Sequence, residues 1–219
     1  FLVSKLAKND VSVSLSGDGG DELFFGYSRY YFAIKVWGKI KYLPLVIRKL
    51  ASSLIAQAPE RFLDITFFWL SFIITEFNKN NNSLGSIVKK SRQLLECSSD
   101  MELYKYLISR WTEPNNFVLN NDKINKSFGE ENYLNTSGES FKSHMMSFDA
   151  LSYLPDDILV KVDRAAMANS LETRVPLLDK DVIEFSLSIP ESIKCKSSPK
   201  SFLKKSLNRY LPKELIDRP

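Results

Sequence analysis

The first 37 residues combine a helical and a strand-like pattern of apolar positions. Apolar side chains recur at helical spacing over 2–7, whereas apolar and polar residues alternate with a period of two over 11–15. The alternating stretch runs directly into a segment rich in glycine and acidic residues, 16–22, and a helical pattern then extends over 23–37. We therefore expect a short helix, a strand, a loop and a second helix, which together form a unit of the α/β type.

The middle of the chain, over 38–135, shows helical patterns and no convincing strand. Its apolar positions predict helices over 43–58, 62–77 and 101–111. Polar stretches rich in asparagine predict surface loops over 78–83 and 115–140. We therefore expect this part of the chain to consist mostly of helices and their connections.

Helical patterns continue towards the C-terminus. Pro155 and the two aspartates after it predict the start of a helix that extends to about Ser170, because acidic side chains favour the first turn. Within that helix, Asp157 and Lys161 are spaced for an ion pair. Pro176 interrupts the pattern, so we expect separate helices over 180–187 and 200–210.

The predicted strand over 11–15 raises a question of pairing. A strand that leads into a glycine-rich turn and a helix is typical of parallel sheets, whose strands need neighbours. We find no second strand in the sequence, so we expect either that its neighbours lie upstream or that 11–15 is not a strand. The chain also begins at Phe1 rather than Met and stops at Pro219, which indicates a piece of something longer.

Composition narrows the class of protein. With 219 residues, 44% of them apolar, the chain can bury a substantial core, and its net charge of +4 is too mild for a dedicated nucleic-acid binder. Cys97 and Cys195 form no disulfide framework or zinc knuckle, and the single histidine, His144, excludes a two-histidine metal site. This cysteine usage predicts a protein of the reducing cytoplasm. The longest apolar run, 62–75, contains Asp64 and is shorter than the roughly 18 residues of a membrane span, so we expect a buried helix there and no membrane partner.

The segment 16–22 is the densest candidate for chemistry. A glycine-rich loop between a strand and a helix offers backbone N–H groups to an anion, although this loop has neither the Walker A lysine nor the dinucleotide fingerprint. Its carboxylates, Asp18, Asp21 and Glu22, would repel a bare phosphate, and Mg²⁺ held between carboxylate and phosphate oxygens resolves that conflict. A plain turn with helix-capping acids is the alternative, and the residues alone leave both open.

A second candidate cluster lies on the helix after Pro155 and in the turn that follows. Lys161 and Arg164 share a helix face with Ala168, where a phosphate or carboxylate could approach. A solvated face with ion pairs is the alternative, which the spacing alone favours. Glu172 and Arg174 flank a turn in which the acid could act as general acid or base, and a structural ion pair explains them equally well.

Two long motifs occur in this order, over Leu15–Tyr27 and Lys161–Asp179. Together they closely resemble the C-terminal synthetase domain of glutamine-hydrolysing asparagine synthetase, and the stretch 202–218 looks like the end of that region. The resemblance implies the α/β fold class, as the C-terminal part of an adenine-nucleotide α-hydrolase-like (Rossmann-like) synthetase domain that is mostly helical here. It implies one incomplete domain with an end of the nucleotide-binding core at 1–37, a helical insert at 38–147 and a substrate and adenylate region at 148–219.

The resemblance also implies a reaction. Members of the family are ATP-dependent carbon–nitrogen ligases that make asparagine from aspartate, through β-aspartyl-AMP, with ammonia that a glutaminase domain releases from glutamine. ATP and Mg²⁺ are the implied cofactors, and a homodimer through the full-length protein is left open. The motifs do not separate this activity from a related amidotransferase or a lactam- or peptide-cyclising synthetase, nor from a non-catalytic nucleotide-binding fragment. The family's Ser-Gly-Gly-x-Asp-Ser loop and a lysine after the final Arg-Pro lie outside this sequence, so we expect the chain alone to be inactive.

Individual positions take roles from the same resemblance. Ser16 and Gly17 look like ATP contacts, and Asp21 looks like a Mg²⁺ ligand. Asp18 stands at the position, often Glu in the family, that is associated with forming or resolving the adenylate. Glu172 resembles the acid that assists amide formation. The residues that resemble substrate- or adenylate-site positions are Lys161, Asp163, Arg164 and Arg174.

Overall fold

The computed structural model describes residues 1–59, 61–63, 88–89, 91–109, 140–195, 199–212 and 215. The chain forms two compact units, one built from Phe1–Phe32 with Glu113–Pro219 and the other from Ala33–Thr112. None of the helices in these described ranges is both long and apolar enough to cross a lipid bilayer.

The described elements are mostly helical. The α-helices are α1 (Leu2–Ala7), α2 (Gly20–Leu23), α3 (Ser28–Ile40), α4 (Leu45–Gln57), α5 (Asp100–Ile108), α6 (Phe141–Leu151), α7 (Val160–Met167), α8 (Lys180–Ser188), α9 (Glu191–Lys194) and α10 (Ser201–Leu207). The strands are β1 (Val13–Leu15) and β2 (Glu172–Arg174). Short 3₁₀-helices cover Arg92–Leu95 and Pro176–Leu178, and a π-helix covers Leu154–Leu159. The helices predicted over 2–7, 43–58, 101–111, 180–187 and 200–210 are confirmed where the structure describes them.

The strand predicted over 11–15 is confirmed as β1, and a neighbour for it lies within this chain. β1 pairs in parallel with β2, with Val13 opposite Glu172 and Leu15 opposite Arg174. The expectation that all its neighbours lie upstream was therefore wrong. β2 was not predicted because its three residues are polar and show no alternation. Its pairing is set by tertiary contacts.

The prediction of one helix over 23–37 was also wrong, because the chain turns between α2 and α3. The N–H of Gly26 donates to the carbonyl oxygen of Asp21 at 2.9 Å, and Phe25 adopts a positive φ of 55°. Phe24 and Phe25 are both almost fully buried. Consecutive residues of a helix cannot normally face the same core, so the turn is what allows both rings to be buried.

The helix predicted from Pro155 to Ser170 is present in a modified form. The π-helix Leu154–Leu159 covers its start, and α7 then continues to Met167. Lys161 pairs with Asp157 at 3.5 Å, as its spacing predicts. The remaining predictions, a helix over 62–77 and loops over 78–83 and 115–140, lie outside the described residues except for 62–63 and 140.

A compact apolar cluster in the first unit holds α2, α8 and α10 together. Leu23, Phe24 and Ile189 form its buried centre. The half-buried side chains that pack around it are Leu178, Val182, Ile183, Phe202 and Leu203. This cluster fixes the start of α10 beside α2, which is the contact that matters for the candidate site.

The second unit is organised around a buried arginine on α4. The Arg48 guanidinium donates to the carbonyl oxygen of Cys97 at 2.6 Å and, through Nε, to that of Leu43 at 3.0 Å. Nearby, Ser52 donates to the Glu96 carboxylate, which also pairs with Arg92 at 3.1 Å. These polar groups are satisfied by one another, so we assign them a structural role.

Candidate active site

The segment 16–22, called the acidic loop below, starts where β1 ends and is hydrogen-bonded to β2. The N–H of Ser16 donates to the carbonyl oxygen of Arg174 at 2.8 Å, and the Ser16 hydroxyl donates to Asp18 Oδ2 at 2.6 Å. Gly19 has a φ of +80°, and a Cβ there would lie 2.4 Å from Leu178 Cδ2. Only glycine satisfies both the conformation and the space at this position, so the loop has one well-defined path.

Gly17 gives the loop an open side. A Cβ built at this glycine would meet nothing within 4 Å. The backbone here therefore faces free space, and a nucleotide could approach it closely. Because the Ser16 hydroxyl is already engaged with Asp18, a ligand that contacts Ser16 must share that hydroxyl with the carboxylate.

Asp21, the predicted metal ligand, forms an ion pair with a lysine that was not predicted from the sequence. Lys200 Nζ lies 2.9 Å from Asp21 Oδ2. Gly26 packs against both, since a Cβ there would lie 2.0 Å from Asp21 Oδ1 and 2.6 Å from Lys200 Cε. Lys200 is distant in sequence and belongs to neither motif, so no local signal could have found it.

The loop fits a magnesium ion in its donor chemistry. Mg²⁺ is commonly held by one or two carboxylates together with phosphate and water oxygens, and Asp21 and Asp18 are carboxylates of this kind. The Lys200 ammonium already stands at the Asp21 oxygen as a cation. No group of three or more His, Cys, Asp or Glu side chains suited to a metal occurs in the described part of the chain.

The second motif meets the first through β2. Arg174 Nε donates to Glu172 Oε1 at 2.6 Å, and both side chains are largely exposed. On the other face of β2, the hydroxyls of Thr173 and Ser14 lie 3.4 Å apart. Arg174 is therefore next to the start of the acidic loop, whereas Glu172 lies opposite Val13, at the other end of the strand pair.

The cations predicted on α7 remain at the surface. Lys161 makes the ion pair with Asp157, and Asp163 and Arg164 are exposed. α7 packs against β2, which brings this helix close to Glu172. No hydrogen bond or ion pair within the described ranges joins these three side chains to the acidic loop.

The third carboxylate of the loop, Glu22, is buried, and the resemblance gives it no individual role. Glu22 is 1% exposed, and the Tyr27 hydroxyl donates to its Oε1 at 2.5 Å. Burial raises the pKa of the Glu22 carboxyl above its ordinary value, and the hydrogen bond from Tyr27 opposes that rise. Burial likewise raises the pKa of the Tyr27 hydroxyl, which stays protonated and able to donate.

An arginine links this tyrosine to a second buried carboxylate. Arg29 Nη2 lies 2.6 Å from Oδ2 of the fully buried Asp149, which also accepts from the Tyr30 hydroxyl at 2.7 Å. The Arg29 guanidinium lies over the Tyr27 ring at 3.8 Å and the Tyr153 ring at 4.7 Å. Within the first unit, this network ties the first turn of α3 to α6.

Burial keeps the thiols of Cys97 and Cys195 in their neutral form. Burial raises the pKa of the Cys97 thiol to about 11 and also raises the pKa of Cys195. Both thiols are therefore protonated at neutral pH, and neither is activated as a nucleophile.

Comparisons with known proteins indicate the family of this chain. A family model described as asparagine synthase matches residues 1–219. The whole chain is 29% identical to asparagine synthetase (glutamine-hydrolysing) 1 of Bacillus subtilis and 27% identical to a provisionally named glutamine-hydrolysing asparagine synthetase of Mycobacterium tuberculosis. It spans 31% and 30% of their lengths. A provisionally named relative from Methanocaldococcus jannaschii is 28% identical over 76% of the chain and 28% of its own length, and no solved structure matches significantly.

Proposed function

The chain belongs to the asparagine synthase family, and from this premise we propose that it is the C-terminal part of an ATP-dependent, amide-forming synthetase domain. The proposed substrates are aspartate, ATP and ammonia derived from glutamine, and the product is asparagine. The proposed fold is that of the adenine-nucleotide α-hydrolases. Within it, 1–37 would end the nucleotide-binding core, 38–147 would form a helical insert and 148–219 would line the substrate and adenylate side.

One observation carries the proposal: the parallel pairing of β1 with β2. It joins two motifs that are far apart in sequence, so that the backbone of Ser16 is hydrogen-bonded to that of Arg174. In α/β sheets, ligands bind at the carboxyl ends of parallel strands. The acidic loop and the end of β2 are such a pair of strand ends, and Gly17 leaves room there for a nucleotide.

The chemistry proceeds in two steps. An oxygen of the aspartate side-chain carboxylate attacks the α-phosphorus of ATP, and the bond to the bridging oxygen breaks to release pyrophosphate. The nitrogen of ammonia then attacks the acyl carbon of β-aspartyl-AMP, AMP leaves with the bonding electrons, and nitrogen loses a proton.

The residues of this chain would divide these tasks. Ser16 and Gly17 contact the nucleotide, Asp18 acts beside the adenylate, and Glu172 accepts the proton that nitrogen loses. The side chains that would bind the substrate and the adenylate are Lys161, Asp163, Arg164 and Arg174. Asp21 would hold Mg²⁺, which when bound neutralises phosphate charge.

The test is release of pyrophosphate by the natural full-length protein that carries this sequence. With ATP and Mg²⁺ present, we expect aspartate to start the release of pyrophosphate as β-aspartyl-AMP forms. Glutamine or ammonia is then expected to convert the adenylate into asparagine and AMP. Release only with a different carboxylate would contradict aspartate as the acceptor. Release with no carboxylate at all would contradict amide synthesis altogether.

A further inference from the structure

Lys200 reaches the acidic loop from an unusual backbone position. It precedes α10 with a φ of 53°, in the left-handed region that non-glycine residues seldom adopt. The two apolar residues that follow on α10, Phe202 and Leu203, pack on the buried cluster, and the ring of Phe202 stacks on Phe24 at 5.9 Å. The packing of α10 therefore maintains the backbone conformation that brings the ammonium group to Asp21.

Gly26 provides the space for the lysine stem. A Cβ at this position would lie 2.6 Å from Lys200 Cε and 2.0 Å from Asp21 Oδ1. Two features therefore place the Lys200 ammonium at the Asp21 carboxylate. One is the left-handed backbone conformation of Lys200, and the other is the absence of a side chain at Gly26. Two separate features of the fold produce this pair, so we do not treat it as a chance surface ion pair.

A metal ion and this ammonium group would compete for the same atom. Lys200 Nζ is 2.9 Å from Asp21 Oδ2, and a cation bound to that oxygen would lie against a like charge. The lysine can move away, because its side chain is 36% exposed and borders a cavity of about 710 Å³. Ser206 and Tyr210, whose hydroxyls can accept from an ammonium group, line this cavity together with Lys204.

We infer that Lys200 is the resident counter-cation of Asp21 and a positioning residue for the metal. It holds the carboxylate of the acidic loop while no metal is bound, and it turns into the cavity when Asp21 takes a divalent cation. Free metal is thereby bound weakly, and metal that arrives with a nucleotide is favoured because phosphate supplies a second anchor. This inference rests on the proposed function, since it takes Asp21 as the metal ligand.

The experiment measures binding of Mn²⁺ alone, without nucleotide, to the natural full-length protein by electron paramagnetic resonance. We expect Lys200→Met to bind Mn²⁺ about tenfold more tightly than the wild type, within the usual range of coupling between two bound groups. Lys200→Gln keeps most of the stem length and is expected to give the same result, so the test survives if the methionine variant fails to fold.

Three variants serve as controls. Lys200→Arg keeps a cation beside Asp21 and is expected to bind Mn²⁺ as weakly as the wild type. Lys205→Met removes a lysine from the same helix that does not line the cavity, and is expected to change nothing. Asp21→Asn is expected to abolish binding at this site.

The outcomes separate this inference from the proposed function. If Asp21→Asn abolishes Mn²⁺ binding while both neutral variants of Lys200 bind it as the wild type does, the counter-cation role is wrong and the metal assignment stands. If Asp21→Asn binds Mn²⁺ as the wild type does, Asp21 is not the ligand and both ideas are overturned.

Discussion

In and next to the acidic loop, the surroundings of each residue are set by the atoms that pack against it more than by its charge. Gly19 and Gly26 each lie where a Cβ would overlap a neighbour, whereas Gly17 faces open space. Asp21 and Glu22 are adjacent in sequence, yet one pairs with a lysine and the other is buried against a tyrosine. These differences lead to predictions about Gly26 and Glu22, and the proposed chemistry leads to one about Glu172.

Gly26→Ala is expected to destabilise the protein by about 1–3 kcal/mol, because the added methyl group overpacks Asp21 and Lys200. The matched control is Gly17→Ala, where nothing lies within 4 Å, and its effect should stay within about 0.5 kcal/mol. Urea denaturation measures both free energies of unfolding. Equal losses in the two variants would contradict the packing at Gly26.

Glu22→Gln is expected to flatten part of the pH dependence of stability. Because burial raises the pKa of Glu22 in the folded state, the folded protein binds its proton more tightly than the unfolded chain does. Stability therefore falls as the pH rises from the ordinary value of 4.5 through the raised value, and it falls no further above that. The Glu22→Gln variant has no proton to lose at this position. Its free energy of unfolding relative to the wild type should therefore increase over that pH window.

Urea denaturation at a series of pH values measures this difference. Glu184→Gln changes an exposed carboxyl and should follow the wild-type curve. A difference between Glu22→Gln and the wild type that stays constant with pH would contradict the raised pKa of Glu22.

Glu172→Gln is expected to separate the two proposed chemical steps. Loss of the base should slow amide formation about 10²–10⁴-fold, while adenylate formation is largely retained. Exchange of labelled pyrophosphate into ATP reports the first step, and asparagine formation reports the second. Equal slowing of both measurements would indicate that Glu172 instead binds the substrate or stabilises β2 through Arg174.

At the scale of elements, the parts of the fold that were predicted are those with a local signal. β1 has alternation and a glycine-rich exit, and helices such as α4 and α8 have clear apolar periodicity. β2 has neither, and the turn between α2 and α3 depends on the burial of two adjacent phenylalanines, which is a tertiary effect. The acidic loop was predicted from its own residues, but its partner Lys200 was not. Contacts between segments that are distant in sequence produce no pattern in the spacing of residues along the chain.

Phe202→Ala is expected to loosen α10 and weaken its attachment to the loop. Phe202 stacks on Phe24 and packs on the apolar cluster, so its loss should cost about 1–3 kcal/mol and speed hydrogen exchange in α10. Leu207→Ala, on the same helix but 41% exposed, is the control and should have a smaller effect. Unchanged exchange in α10 of Phe202→Ala would show that the cluster does not anchor this helix.

At the scale of the whole molecule, the chain spans about 30% of the length of its relatives in Bacillus and Mycobacterium. Its described sheet has two strands, and the apolar side chains of β1 are exposed, by 39% for Val13 and 74% for Leu15. Parallel strands are normally covered on both faces. The surface around β1 is therefore one that further protein would stabilise.

We expect the 219-residue chain alone to release no pyrophosphate from ATP and aspartate, and the natural full-length protein to release it. The reason is that a parallel strand pair with an exposed apolar face holds its terminal loops less firmly than a covered sheet does. Measuring pyrophosphate for both proteins under the same conditions checks this. Turnover by the chain alone would show that these residues suffice.

The pairing of β1 with β2 also has a consequence for how the molecule is made. Ser14 and Glu172, which meet across the strands, are separated by 158 positions. At about 5–20 residues per second, a ribosome finishes β2 roughly 8–30 s after β1. Contacts between such distant segments also form slowly once the chain is complete. During synthesis β1 therefore remains unpaired, and the glycines and carboxylates of the acidic loop remain exposed, until β2 in the last third of the chain has been made and pairs with β1.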